Sequence, residues 1–244
     1  MGINRFAFAI LDEDAVPLRL TEVRAFLFPV DNPSSRQEVT AVFWTWPTSI
    51  AGVYATQVTF DEPGIWEIEV EVPQPDGSVV NSVAAFQVKE ESDSPAIGAK
   101  APASQQRTAG DVEKLAEITT ASPPDPDLYQ MTIAEAVASG RPSAVVFSTP
   151  AFCETRTCGP QVEVVEDLKE RYKGRANFIH VEVFSNPLEI QGDLTNAKIN
   201  PVMNEWGLQS EPWTFILDRN GNVAAKFEGF VGTEELEPAL TQVL

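Results

Sequence analysis

Two cysteines are the residues of this chain whose type and spacing indicate chemistry. Cys153 and Cys158 are the only cysteines among 244 residues, and four residues separate them. A disulfide stabilises a fold more when it closes a longer loop, so a bridge across this short loop contributes little to stability. The favoured interpretation is a pair that exchanges between dithiol and disulfide, in which one thiolate attacks a partner's disulfide and the other thiol resolves the product.

The elements around the cysteines are predicted to be a strand, a loop and a helix. The short apolar run from Ser143 to Ser148 is typical of a buried strand, and Gly159-Pro160 indicates the start of a helix. A helix N-terminus carries partial positive charge and unpaired N–H groups, which stabilise a thiolate. A cysteine loop at this position is therefore suited to nucleophilic chemistry.

Strands and helices alternate over the second half of the chain. The Thr132–Glu135 capping box predicts a short helix, and Thr233 predicts the start of the last one. Between them the pattern predicts the order α-β-α-β-α-β-β-α, which is an α/β fold. The remaining predicted elements are a strand over 176–184, a helix over 201–206, and strands over 213–217 and 223–227.

The first ninety residues follow a period of two, which predicts an all-β region. Trp66, Ile68 and Val70 alternate with glutamates, as in an antiparallel strand with one solvated face. Turn signals divide the region into six or seven short strands, which predicts a β-sandwich. The stretch from Val53 to Ile68 resembles immunoglobulin-like domains of bacterial exported proteins.

A polar segment from Lys89 to Pro95 separates the two patterns, as a linker does. The sequence thus predicts an immunoglobulin-like domain over 1–88, a linker and lead-in over 89–102, and an α/β domain over 103–244. The part from Ala101 to Pro126 is rich in Ala, Ser, Pro and Gln, and we expect it to be extended and mostly on the surface.

The motifs of residues 96–244 resemble the thioredoxin superfamily, and most closely its exported, membrane-tethered TlpA-like thiol–disulfide oxidoreductases. Four segments carry this resemblance, and residues 1–90 have no part in it. One feature departs from the family: its usual motif has two residues between the cysteines, and this chain has four. The four segments are Ala96–Pro102, Val145–Cys153, Cys158–Pro160 and Glu211–Gly221.

The resemblance implies roles for the cysteine pair and for residues between and after the two cysteines. Counting from the strand favours Cys153 as the attacking thiol, whereas matching Cys-Gly-Pro would give that role to Cys158. Glu211 and Pro212 would position the substrate chain, with a cis peptide bond before Pro212. Glu154 and Arg156 would modulate the cysteine pKa values. No cofactor and no metal are expected.

Other interpretations of the same residues stay open. The cysteines could form a structural disulfide, or bind copper or zinc together with His180, the only histidine. Pro150, Thr155 and Cys158 supply the residue types of a peroxidase site without its spacing. The second class of function is a binding or adaptor protein in which the β-sandwich carries the activity. His180 itself lies in an alternating pattern and is interpreted as an ordinary strand residue.

Composition excludes some partners and indicates a location. The formal net charge is −19, spread over both halves of the chain, so binding to nucleic acids through their phosphates is excluded. No run of 18 apolar residues exists. The exported relatives imply a protein of the cell surface or periplasm, whose leader and membrane anchor we expect outside this sequence. Its expected partners are cysteine-containing substrate proteins and a redox partner protein.

Overall fold

The chain consists of two compact units, Met1–Ser92 and Asp93–Leu244. A computed structural model describes residues 1–12, 14, 16–46, 51–154 and 156–244. The predicted fold class is confirmed, because an all-β region precedes a region in which helices alternate with the strands of a mixed sheet.

The first unit is a sheet of six antiparallel strands in the order β1-β4-β3-β2-β5-β6. Alternation along the strands places the apolar side chains on one buried face, where Trp66 and Leu27 are fully enclosed. The strands are β1 (Gly2–Phe8), β2 (Glu22–Pro29), β3 (Gln37–Thr45), β4 (Gly52–Phe60), β5 (Gly64–Pro73) and β6 (Val79–Val88).

This sheet curls until its two edges face each other. The rings of Phe6 on β1 and Phe86 on β6 lie 4.6 Å apart, although these strands are at opposite ends of the hydrogen-bonded order. Phe60 on β4 contacts Phe86 as well, at 5.8 Å between ring centroids. The layers of the predicted sandwich are therefore two halves of one continuous sheet, because strand twist brings the halves together over a shared apolar core.

The second unit has a four-stranded sheet in the order β10-β9-β7-β8, in which only β7 and β8 run parallel. Its strands are β7 (Ser143–Ser148), β8 (Asn177–Glu182), β9 (Trp213–Leu217) and β10 (Val223–Glu228). Its helices are α1 (Ile133–Ala138), α2 (Cys158–Tyr172), α3 (Pro187–Ile190), α4 (Pro201–Glu205) and α5 (Thr233–Thr241). Among the described residues, no helix has the length and apolar character needed to cross a membrane.

Local sequence explains where these helices begin. Thr132 accepts a hydrogen bond from the Glu135 backbone, and Glu135 bonds back to Thr132, which starts α1 as predicted. Pro160 occupies the first turn of α2, where its missing N–H has no helical partner to lose. One apolar cluster covers each face of the sheet, which fixes β7 and the start of α2 between two packed layers.

The segment before α1 lies mostly on the surface, as expected, but it is not extended throughout. Short 3-10 helices interrupt it at Ala109–Asp111 and Leu115–Glu117. Gln106 is buried and accepts a hydrogen bond from the Ile133 backbone at 2.9 Å, and Thr119 is buried as well. Most of the segment stays at least partly exposed, and these few residues are buried because their polar side chains satisfy backbone groups and other buried polar groups, so that burial costs little.

Candidate active site

The cysteine loop connects the end of β7 to the first residue of α2. Two turns shape the loop: the Phe152 N–H donates to the Thr149 carbonyl and the Arg156 N–H donates to the Cys153 carbonyl, both at 3.2 Å. Cys158 opens the helix, so the helix holds its backbone in place. Cys153 lies five positions earlier, in the loop itself.

The two cysteines differ in their solvent exposure, and Cys158 loses its proton only with difficulty. Both are present as thiols, with Cys153 partly exposed and Cys158 fully buried. The hydrogen bond between the Cys158 and Cys153 side chains raises the pKa of Cys158 far above its ordinary value, and burial raises it further. At neutral pH Cys158 therefore keeps its proton and can donate a hydrogen bond to the sulfur of Cys153, the more accessible of the two.

Glu211 and Pro212 lie beside the cysteine loop. The peptide bond between them is cis, as predicted. Pro212 is buried, and its carbonyl accepts a hydrogen bond from the Gly229 N–H at 2.8 Å. Burial raises the pKa of Glu211, and the negative charges of Glu154 and of Cys153 in its thiolate form raise it further. Because their charges act on Glu211, Cys153 and Glu154 both lie near its carboxyl group.

The residues between the cysteines are mostly solvent-exposed. Glu154 and Arg156 are exposed, and Arg156 has a φ of 57°, in the left-handed region that few non-glycine residues adopt. Thr155 lies outside the described residues. The structure thus brings Glu154 towards Glu211, and joins Arg156 to Cys153 through their backbones.

His180 is enclosed in a hydrogen-bonded network beneath the loop. Its Nδ1 lies 2.7 Å from the Tyr129 hydroxyl, and its Nε2 lies 2.9 Å from Ser148 Oγ. Burial lowers the pKa of His180 to about 4, so the ring is neutral at pH 7. Both ring nitrogens have hydrogen-bonding partners. Among the described residues, no three His, Cys, Asp or Glu side chains are grouped to hold a metal ion.

Sequence reasoning missed a polar connection between Glu182, two residues after His180, and the cysteine loop. Thr120 Oγ1 donates to the Glu182 carboxylate at 2.7 Å and accepts a hydrogen bond from the Ala151 N–H at 3.1 Å. Ala151 lies two residues before Cys153. A signal was present, since His180 and Glu182 place two polar side chains on one face of a strand whose other residues are mostly apolar.

The geometry at the β7–α2 junction agrees with a comparison of the sequence with known families. Residues 129–244 match the family model of a thioredoxin-like domain. This part of the chain is a thioredoxin-like domain. No curated protein matches the chain. The thioredoxin-like match does not extend to the first unit, whose immunoglobulin-like character stays a prediction.

Solved structures similar to the chain include three thiol-redox proteins. One is described as a thiol:disulfide interchange protein DsbE from Chlorobium tepidum; it is 17% identical, with a TM-score of 0.44, over 62% of this chain and 99% of that one. A thioredoxin-family interchange protein from Chlorobium tepidum TLS is 13% identical, with a TM-score of 0.36, over 46% and 85% of the two chains. The pneumococcal exposed lipoprotein thioredoxin from Streptococcus pneumoniae is 11% identical, with a TM-score of 0.34, over 46% and 90%.

Proposed function

We propose that this protein is an extracytoplasmic thiol–disulfide oxidoreductase whose Cys153/Cys158 pair exchanges with the cysteines of partner proteins. The observation that carries the proposal is the asymmetry of the pair within a thioredoxin-like domain. Cys153 is accessible, whereas Cys158 is buried, holds its proton and hydrogen-bonds to Cys153. This arrangement supplies one sulfur for attack and a second for resolution.

The proposed exchange proceeds in two displacements. The Cys153 thiolate attacks one sulfur of a partner disulfide, forming a mixed disulfide and releasing the other partner sulfur as a thiolate, which takes up a proton. Cys158 then loses its proton and attacks the Cys153 sulfur, which releases the second partner thiol. The pair is oxidised and the partner disulfide is reduced by two electrons. The same steps in reverse oxidise a partner dithiol.

Glu211 and Pro212 are proposed to position the partner chain during this exchange. Support comes from the electrostatic coupling of Glu211 to Cys153 and from the burial of Pro212, which fixes the backbone at this point. Glu154 and Arg156 are proposed to adjust the pKa values of the cysteines from the exposed side of the loop.

The extracytoplasmic location is proposed from the resemblance of the redox motifs to exported, membrane-tethered family members. The partners are then cysteine-containing substrate proteins and a protein that restores the redox state of the pair. Fractionation of cells that express the natural gene tests this location. Recovery of the protein with the cytosol contradicts it.

Reduction of a generic protein disulfide, such as those of insulin, tests the activity. Cys153→Ser is expected to lower the rate by roughly a thousandfold or more, as removal of a catalytic nucleophile does. Thr195→Ser, in an exposed turn, is the control and is expected to keep the wild-type rate. Equal turnover by the wild type and Cys153→Ser contradicts the proposal.

A further inference from the structure

A cavity of about 300 Å³ lies beside β8 in the second unit. Tyr129, His180 and Glu182 form its floor, and each of these side chains is at most 3% exposed. Arg107 and Glu205 are exposed residues of the lining and mark its mouth. Binding pockets for small ligands begin at about this volume, so the space suits one long side chain or a small molecule.

This cavity adjoins the loop that carries Cys153. Phe184 lines the cavity, and its ring packs edge-to-face on Phe152, the residue before Cys153, at 6.0 Å between centroids. Thr120 connects Glu182 on the cavity floor to the Ala151 N–H of the loop. A group held in the cavity would therefore lie close to the disulfide that Cys153 attacks.

The floor of the cavity holds a carboxylate that lacks a cationic partner. One carboxylate oxygen of Glu182 accepts hydrogen bonds from the Thr120 N–H at 2.8 Å and from the Thr120 hydroxyl, and the other accepts one from the Val183 N–H at 3.1 Å. Within the described part of the chain, no Lys or Arg forms an ion pair with Glu182. A buried carboxylate is costly without a counter-charge, and burial accordingly raises the pKa of Glu182. The neighbouring His180 is neutral, so it neither supplies that charge nor repels a cation.

The rest of the cavity suits a cation on an apolar stem. Phe184, Ile118 and Val202 line the walls and would pack against methylene groups. Glu205 adds a second carboxylate near the mouth. The cation already at the mouth, Arg107, is held by Glu117, at 3.3 Å between Nη2 and Oε2.

We infer that this cavity receives a Lys or Arg side chain of the substrate protein, located a few residues from the substrate cysteine. The inference rests on the proposed oxidoreductase function and specifies its substrate class. The basic side chain lays its stem against Phe184 and places its charged head at Glu182. The acidic surroundings of Cys153, formed by Glu154 and Glu211, favour a basic segment in the same way.

Two disulfide-linked peptides that differ only in one Lys or norleucine near the cysteine test this inference. The wild type is expected to reduce the Lys peptide roughly tenfold faster, since a hydrogen bond to a charged group contributes about that factor. Glu182→Gln keeps an acceptor for Thr120 and is expected to bring the ratio of the two rates close to one. Glu113→Gln, at an exposed carboxylate, is the control and should keep the ratio.

Glu205→Gln provides a second variant if Glu182→Gln fails to fold, and it is expected to lower the ratio in part. Calorimetry with N-acetyl-lysine amide separates a substrate side chain from a free amine. The free compound is expected to bind at least tenfold more weakly than the Lys peptide, because the peptide also contacts the cysteine loop.

Three results would overturn the inference. If the wild type reduces the Lys and norleucine peptides at equal rates, the cavity does not select a basic side chain, and the oxidoreductase function stands. Equal affinity for the free amide and the peptide makes the cavity a site for small amines instead. Failure of the wild type to reduce either peptide contradicts the proposed function, and the inference fails with it.

Discussion

The two units of this protein place their polar residues differently. Among the described residues, every buried Ser, Thr, Asn, Gln, His, Lys and Glu side chain lies in the second unit. The core of the first unit is apolar, apart from paired groups such as the Tyr54 hydroxyl, which donates to the Leu18 carbonyl and accepts from the Leu20 N–H, and the Trp66 indole N–H, which donates to the Glu62 carbonyl. Buried polar groups cost free energy unless they are paired, so their concentration in one unit indicates where the chain uses them.

This difference indicates that the first unit is built for stability and that the second also holds the groups that react. The first unit holds its sheet by apolar packing, with charged residues such as Arg24 and Glu38 paired on the outside. The second unit also packs apolar layers, but it encloses His180, Glu182 and Cys158 between the sheet and the cysteine loop. We therefore expect a packing defect to lower the free energy of unfolding by a similar amount in either unit. Protonation at acidic pH is expected to lower it mainly in the second unit.

A matched pair of tryptophans tests the first expectation. Trp66 and Trp206 are both fully buried, and each indole N–H donates to an oxygen at 3.1 Å, on Glu62 and Ser104 respectively. Truncation of either one to Ala is expected to cost about 3–5 kcal/mol, because each leaves a large cavity in an aromatic cluster. Urea unfolding measures the loss, and hydrogen exchange assigns it to peptides of one unit.

Only Trp206→Ala is expected to make Cys158 reactive to alkylation, because Trp206 packs on Phe147 of β7, at 4.9 Å between ring centroids. Trp66→Ala serves as its control. If both variants exposed Cys158 equally, the two cores could not be treated as separate.

Acid is expected to destabilise the second unit through His180. Burial lowers its pKa from 6.5 to about 4, so the unfolded chain binds the proton more readily between these pH values. The stabilisation from the neutral ring is complete above pH 6.5 and is lost as the pH falls towards 4, by about 3 kcal/mol. The measurement is the free energy of unfolding at pH 7 and at pH 4 for the wild type and His180→Gln.

The variant is expected to lose less stability than the wild type on acidification. Glu182 has a raised pKa and contributes in the opposite direction, but it is present in both proteins and cancels from the difference. Parallel pH profiles for the two proteins would show that His180 is not the group responsible.

A smaller effect is expected at the cysteine loop from Glu211→Gln. Glu211 is electrostatically coupled to Cys153, so removal of its negative charge eases formation of the Cys153 thiolate. The midpoint pH of Cys153 alkylation by iodoacetamide is expected to fall by about 0.5–1 unit. Glu113→Gln is the matched control. If Glu211→Gln and the wild type had the same midpoint pH, Glu211 would have no electrostatic influence on the reacting sulfur.

Local patterns predicted much of the fold, because they act between neighbours in sequence. Alternation predicted the strand around Trp66, and the Thr132–Glu135 capping box predicted α1. Contacts between distant residues were not predictable in this way. The connection from Ala151 through Thr120 to Glu182 joins three segments, and the closure of the first sheet by Phe6 and Phe86 joins two that are eighty residues apart. One sequence does not show which polar residues will meet.

Trapping of the mixed disulfide tests the central claim most directly, namely that partly exposed Cys153 attacks and buried Cys158 resolves. Cys158→Ser and Cys153→Ser are each mixed with a disulfide-containing protein substrate, and the adducts are measured by mass spectrometry without reductant. Cys158→Ser is expected to accumulate the adduct, because attack proceeds and resolution cannot, and Cys153→Ser is expected to trap little. An adduct that forms only with Cys153→Ser would contradict the account by assigning the attack to Cys158.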